Sequence, residues 1–198
     1  MRIVSHFSAE GLSNVYLISD DNRNGIIVDP AHIDKELMEL IAYTCNDIIA
    51  VLITHKHQSH TAGLGTLMKI YTPVIYAYES NVNGFNTVLF HDGETKRIGT
   101  LSVKALHVPG HSLDSLAYLI DAALFTGDTL YSGSVASTDS FVERALLMRS
   151  LEKKIMTLPP STLLYPGHGT LSKLGIEQML NQDLLQFESE TGTGSFPI

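Results

Sequence analysis

Apolar positions along the chain change their period several times, and each change marks an element. Ile3 and Val4, Val15 to Ile18 and Gly25 to Val28 are short apolar runs that read as strands, the last two joined by the turn-forming stretch DDNRNG. Leu37, Leu40, Ile41 and Thr44 fall at helical spacing within 36–44, and IIAVLI at 48–53 reads as a buried strand. Leu64, Leu67, Met68 and Tyr71 repeat at i, i+3, i+4 and i+7, which predicts an amphipathic helix, with a strand following in PVIYAY. From Lys96 to Leu130 the pattern is strand-rich: IGTLSVKALHV, SLAYLID and AALFTGD are separated by turn residues such as Pro109, Gly110 and Asp121. Leu147, Leu151, Ile155 and Leu158 define another helical stripe, STLLY at 161–165 a strand, and Ile176, Leu180, Leu184 and Phe187 a last helix. The segment from about 190 to 198 reads as a frayed tail.

Strands and helices alternate in both halves, and no Pro/Ser linker divides them. Residues 1–198 therefore read as a single α/β domain, with sheet packed between helices and loops at strand ends open to carry a site. A hydrophobic content of 44% with 17% charged residues fits a globular chain. The net charge of −8 opposes binding to nucleic-acid phosphate or anionic membrane and leaves the oligomeric state open. The single cysteine, Cys45, permits no disulfide within the chain and no thiolate-rich zinc knuckle, and it suits a reducing, cytoplasmic setting. The amino terminus shows no basic-then-apolar targeting pattern, and the longest apolar run is far below the ~20 residues of a membrane span.

Histidine changes this picture. THKHQSHTAG at 54–63 carries His55, His57 and His60 directly after the buried strand. His55 and His57, two apart on extended chain, project to one face, and His57 and His60 share a face once the chain turns into helix. Neutral imidazole is the commonest transition-metal ligand. Pro109-Gly110-His111 and Pro166-Gly167-His168 repeat one tripeptide, each after an apolar strand, and Asp128 ends LFTGD. Those six side chains are the candidate metal donors. His6, His32, His91 and His107 stand alone and read as surface or hydrogen-bonded residues. Asp29 in IIVDP reads as a capping carboxylate and Lys56 as solvent-facing. The chain has no G-x-S-x-G nucleophile elbow, no G-x-x-x-x-G-K-[ST] phosphate loop and no G-x-G-x-x-G fingerprint.

His55-x-His57-x-x-His60, His111, Asp128 and His168, in this order, resemble the metallo-beta-lactamase superfamily. IIVDP, VPGHSLDS, LFTGDTLYSGSVASTD and LLYPGHG are similar, more narrowly, to its glyoxalase II (hydroxyacylglutathione hydrolase) branch. The resemblance implies a four-layer αβ/βα sandwich. It also implies that His55, His57 and His111 hold a first metal, that His60 and His168 hold a second, and that Asp128 bridges. It implies zinc, one or two ions, with iron or manganese as alternatives. Such ions lower the pKa of a bound water from ~15.7 toward ~7 and polarise a carbonyl for its attack. Asp128, His60 and His168 are then the residues expected around the catalytic step, which is hydrolysis of a small thioester, ester or lactone.

Three departures bear on that transfer. The family usually has aspartate just before the last histidine of the first motif, and this chain has Ser59. A hydroxyl is a much poorer zinc donor than a carboxylate, so the second site is expected to be weakened. Ala136-Ser137-Thr138-Asp139 stands where the branch has Gly-Arg-Thr-Asp, and Asp114 where it often has glycine. A one-metal site makes two other readings available: a mono-iron, persulfide dioxygenase-like oxidoreductase, and a catalytically weak relative that serves as a binding module.

Overall fold

The computed structural model describes residues 1–191. In its amino-terminal half, β1 (Arg2–Ser8), β2 (Ser13–Ser19) and β3 (Asn24–Val28) form an antiparallel meander. Strands β4 (Asp47–Leu52) and β5 (Val74–Ala77) then add in parallel. Parallel strands need crossovers, and these are helix α1 (Lys35–Thr44) and the pair α2 (Gln58–Thr61) and α3 (Leu64–Ile70). A small hairpin, β6 (Asn81–Val82) with β7 (Phe85–Asn86), leads to the edge strand β8 (Val88–Leu89).

The second sheet runs β9 (Thr95–Ile98), β10 (Leu101–His107), β11 (Leu116–Ile120) and β12 (Ala123–Gly127) as antiparallel neighbours. Strand β13 (Leu163–Pro166) lies parallel to β12, and β14 (Ser172–Lys173) closes the edge. Helix α4 (Phe141–Ser150), continued as a wider π-turn over Leu151–Ile155, makes the crossover to β13. Helices α5 (Leu174–Leu180) and α6 (Gln182–Thr191) follow.

Strand periodicity sorts the apolar residues into three cores. Tyr16, Ile18, Val28 and Leu52 of the first sheet face Val103, Tyr118, Ile120 and Phe125 of the second. Leu17, Ile27, Val51 and Ile53 point the other way, onto Leu37, Ile41, Leu64 and Leu67 of the first helical layer. Leu106, Ala117, Leu124 and Leu164 pack on Leu147, Leu151, Ile155 and Leu174 of the second. Helix, sheet, sheet, helix is the four-layer αβ/βα sandwich. The run 48–53 shows no polar alternation because β4 is covered on both faces.

The pattern predicted two elements too simply. IGTLSVKALHV is not one strand but the β9–β10 hairpin, turning at Gly99 and Thr100. The last helical stripe is two helices broken at Asn181, whose backbone is extended (φ −70°, ψ 112°). Its side-chain amide donates to Glu177, and its side-chain Oδ1 accepts the Leu184 N–H at the start of the next helix. Helix α6 reaches Thr191, inside the segment 190–198 read as a tail, and 192–198 lie outside the described residues. Among the described residues no helix is long and apolar enough to cross a membrane.

One carboxylate ties the two sheets together. Asp20, after β2, accepts the backbone N–H groups of Asn22 and Asn24, the Asn24 amide, and the Thr100 N–H from the β9–β10 turn. Burial alone raises its pKa, but these four donors outweigh burial and hold it below the ordinary carboxylate range. A pKa lower in the folded state gives stability that is present above the unfolded value of ~3.9 and is lost as pH falls through the folded value. Urea denaturation is expected to show Asp20→Ala less stable by about 2–3 kcal/mol at pH 7. Between pH 4 and pH 2 the gap to the parent should shrink, and a gap independent of pH would refute this role.

Candidate metal centre

Strands β3, β4, β12 and β13 all end at one edge of the sandwich, where α/β sheets commonly place their sites. Asp29 follows β3, Thr54 to His57 follow β4, Asp128 follows β12 and His168 follows β13, while His111 stands on the loop after β10. The donor atoms of His55, His57, His111 and Asp128 lie within 4.8 Å of one another, as do those of His60, Asp128 and His168. Asp128 belongs to both groups. Its Oδ2 is 3.7 Å from His55 Nε2 and from His111 Nε2, 3.2 Å from His60 Nε2 and 3.3 Å from His168 Nε2. His57 Nδ1 sits between His55 Nε2 and His111 Nε2 at 3.0 and 3.1 Å.

The far side of each ring fixes what the near side presents. His168 Nδ1 donates to the Leu12 carbonyl at 2.7 Å, and His111 Nδ1 to the Ser137 carbonyl at 3.0 Å. His60 Nδ1 donates to Asp29 Oδ2 at 3.0 Å. The Thr54 hydroxyl donates to Asp29 Oδ2 at 2.6 Å, which leaves its oxygen to accept from His55 Nδ1 at 3.0 Å. In the neutral form each of these four rings therefore turns an unprotonated Nε2 toward a carboxylate oxygen. Lone pairs facing a carboxylate repel unless a cation lies between them. The donor set fits a metal ion, and Asp128 Oδ1, buried without a hydrogen-bond partner among the described residues, adds a further free oxygen.

The electrostatics divide the rings. Burial, reinforced by neighbouring His60, pushes His55 down to about 3. Burial and His111 also lower His57. Burial opposes charge on His60 as well, but hydrogen bonds to Asp128 and Asp29 outweigh it and raise that ring to about 10. The same partners act on Asp128: burial works against its charge, yet His168 and His60 hold it well below the ordinary carboxylate range. Without metal, the His60 proton thus takes the cation's place. His55, His60 and Asp128 are buried, whereas His57 is exposed and His111 and His168 are partly so, which leaves one face of the centre open to substrate.

The echoed Pro-Gly-His loops owe their glycines to close approach. A Cβ on Gly167 would run into Asp128 Oδ1 and His60 Cε1, and Gly110, at φ +143°, abuts Leu147 and the Glu143 carbonyl of α4. Asp114 is buried; it accepts the Lys56 N–H at 3.0 Å and the Ser112 hydroxyl, and so fastens the His111 loop to the first histidine loop. Lys56 itself is exposed and pairs with Glu79. The Ser59 carbonyl accepts the Ser13 hydroxyl, and the residue lines a cavity of about 260 Å³ with Glu10 and Gly11. His6 pairs with Asp34, His32 with Glu10, and His107 stacks on Tyr78; none of these, nor His91, joins the centre.

Sequence reasoning missed Asp29 and Tyr131. Tyr131 stands edge-on to His168 at 6.2 Å between ring centroids, and burial together with Asp128 raises its phenol. Asp29 was readable as a carboxylate ending a strand, but only the parallel pairing of β3 with β4 shows that it backs His60. Carboxylates behind ligating histidines typically contribute 10–100-fold in metal affinity. Chelator competition on Asp29→Asn is accordingly expected to show metal bound at least ~10-fold more weakly. Unchanged affinity would make Asp29 a fold residue only.

Two histidine sets joined by one aspartate, at the edge of an αβ/βα sandwich, form a His/Asp cluster able to bind metal. The model of the metallo-beta-lactamase superfamily matches residues 9–83 and 78–168, and the chain belongs to that superfamily. It is 35% identical over 161 residues to the probable hydroxyacylglutathione hydrolase SPCC13B11.03c of Schizosaccharomyces pombe, covering 77% of this chain and 61% of that protein. It is 32% identical over 186 residues to the hydroxyacylglutathione hydrolase of Hamiltonella defensa, covering 92% of this chain and 73% of that one. Among solved structures it resembles the BLEG-1 B3 metallo-beta-lactamase, with a TM-score of 0.81, 25% identity and coverage of 92% and 99%.

Proposed function

We propose that this chain is a metal-dependent hydrolase of the glyoxalase II type that cleaves a small thioester, with esters and lactones as the neighbouring substrate classes. The observation that carries the reading is the Asp128 oxygen shared between two histidine sets on an open face. It is supported by likeness to proteins named hydroxyacylglutathione hydrolase. His55, His57 and His111 would hold a first ion and His60 and His168 a second, with Asp128 common to both sets. Nitrogen and carboxylate donors suit zinc, and they accommodate iron or manganese. A bound ion supplies Lewis acidity, polarising the thioester carbonyl and making water a nucleophile near neutral pH.

The chain's own residues do the rest. Leu12, Ser137, Thr54 and Asp29 lock four rings in the tautomer that presents Nε2. His57, His111 and His168 form the accessible wall along which substrate enters. Asp128, His60 and His168 would border the reacting water. The lone cysteine, buried Cys45, fits work in a reducing cytoplasm.

Protein purified without added metal should contain zinc and hydrolyse a hydroxyacyl thioester such as lactoylglutathione. Chelation is expected to lower the rate at least ~100-fold, with zinc restoring it. A second reading rests on the smaller donor set, three residues around His60 against four around His55. Under it a single iron occupies the first group and the chain oxidises a persulfide. Iron content with oxygen uptake on a persulfide, and no thioester turnover, would replace the hydrolase reading with that one.

A further inference from the structure

A second cavity, of about 270 Å³, opens on the far side of the β9–β14 sheet, between β10 and the π-turn that ends α4. None of the six donors lines it. Leu106 and Leu158 give it an apolar part, and three lysines line it: Lys104 from β10, and Lys153 and Lys154 from the π-turn. Asp92 is the one carboxylate on its wall, and that group is already engaged by Lys154 at 2.7 Å and by the His107 N–H at 2.8 Å. Lys154 also donates to the His107 carbonyl at 2.7 Å, so it is pinned in place. The ammonium groups of Lys104 and Lys153 have no hydrogen bond or ion pair among the described residues.

This concentration of positive charge runs against the molecule as a whole. The chain carries 13 lysines and arginines against 21 acidic residues, yet three of the basic side chains converge on this one wall and two of them have no acidic partner. Like charges gathered around a concave, partly apolar wall repel one another and focus a field that attracts an anion. Lysine ammoniums bind phosphate as point charges, without the fork geometry that selects planar carboxylates. The volume lies just under the ~300 Å³ at which pockets for drug-sized ligands begin, too small for a dinucleotide and ample for a small phosphorylated molecule. The consecutive pair Lys153 and Lys154 depends on the π-turn, a local widening that often marks functional positions in helices.

We propose that this cavity is a binding site for a small phosphate-bearing anion, held by Lys104, Lys153 and Lys154 and separate from the metal centre. Calorimetric titration of the full chain with inorganic phosphate, and in a second arm with glycerol phosphate, tests it. Binding is expected with a Kd on the order of 1 mM or tighter, and the tighter of the two probes tells whether the free ion or a phosphomonoester is preferred. Lys104→Gln with Lys153→Gln should weaken binding at least ~10-fold, because both substitutions remove unpaired charge from the wall. Lys35→Gln with Lys69→Gln, which removes the same charge elsewhere on the surface, should leave affinity within about twofold. His57→Ala, at the metal centre, should leave it unchanged. Phosphate binding that survives the Lys104 and Lys153 changes but disappears in His57→Ala would place the anion on the metals and overturn the proposal. Equal losses in both lysine pairs would reduce it to net charge, and absence of binding up to ~50 mM would end it.

Discussion

Asp128→Ala is expected to purify with less metal than the parent, the second ion missing and the first held more weakly, and to hydrolyse thioester at least ~10³-fold more slowly. The substitution removes the only oxygen donor of both groups, leaving His55, His57 and His111 on one side and His60 and His168 on the other. Two imidazoles cannot complete a tetrahedral site, so the second ion is lost outright. The first set keeps three nitrogens and loses its negative charge, which weakens it less. The protonated His60 also loses one of its two acidic partners and is left with Asp29. Asp128→Asn separates charge from shape: it fits beside Gly167 as Asp128 does, yet presents a neutral amide. Elemental analysis should rank parent, Asn and Ala in descending metal content, with far-UV circular dichroism unchanged for Asn. Parent-level metal in Asp128→Asn would mean that the nitrogens suffice and that no carboxylate bridges the sets.

How much of this was legible in the chain depends on where each residue's partners lie. His55, His57, His60, His111, Asp128 and His168 stand directly after apolar strands, so residue type and strand ends together were enough to single them out. Their division into two groups was not readable from spacing. His57, three residues before His60, faces the other group because the backbone turns at His57 from extended chain into the short helix α2. Asp29 was invisible as a functional group because its role depends on β3 lying beside β4, a pairing made by a crossover through α1. The three lysines were hidden for the same reason: Lys104 and Lys153 are far apart in sequence and meet only through packing of the π-turn on β10. Elements of two residues, such as β6, β7, β8 and β14, are too short to show a period. The layers themselves were readable, since each strand's alternation states which of the three cores its residues enter.

Ser59→Asp is the substitution on which the unequal-site reading stands or falls. The parent offers four donors at one group and three at the other, and one donor, Asp128, is counted in both. A serine hydroxyl in α2 adds nothing comparable to a carboxylate, which brings both charge and a second oxygen. The parent should therefore hold about one ion per chain firmly, with the second exchanging into buffer. Ser59 immediately precedes His60 in α2, so a carboxylate there stands one residue from the three-donor group. With it, metal content is expected to rise toward about two ions, the second bound at least ~10-fold more tightly than in the parent. Thioester turnover should rise with it, because a second ion adds both charge and a template at the reacting carbonyl. Ser59→Asn, equal in size but neutral, should show neither gain. Two firmly held ions in the parent would disprove the weakened second site. More metal in Ser59→Asp without more turnover would confine the defect to binding and shift the control of catalysis to the loops that carry Asp114 and Asp139.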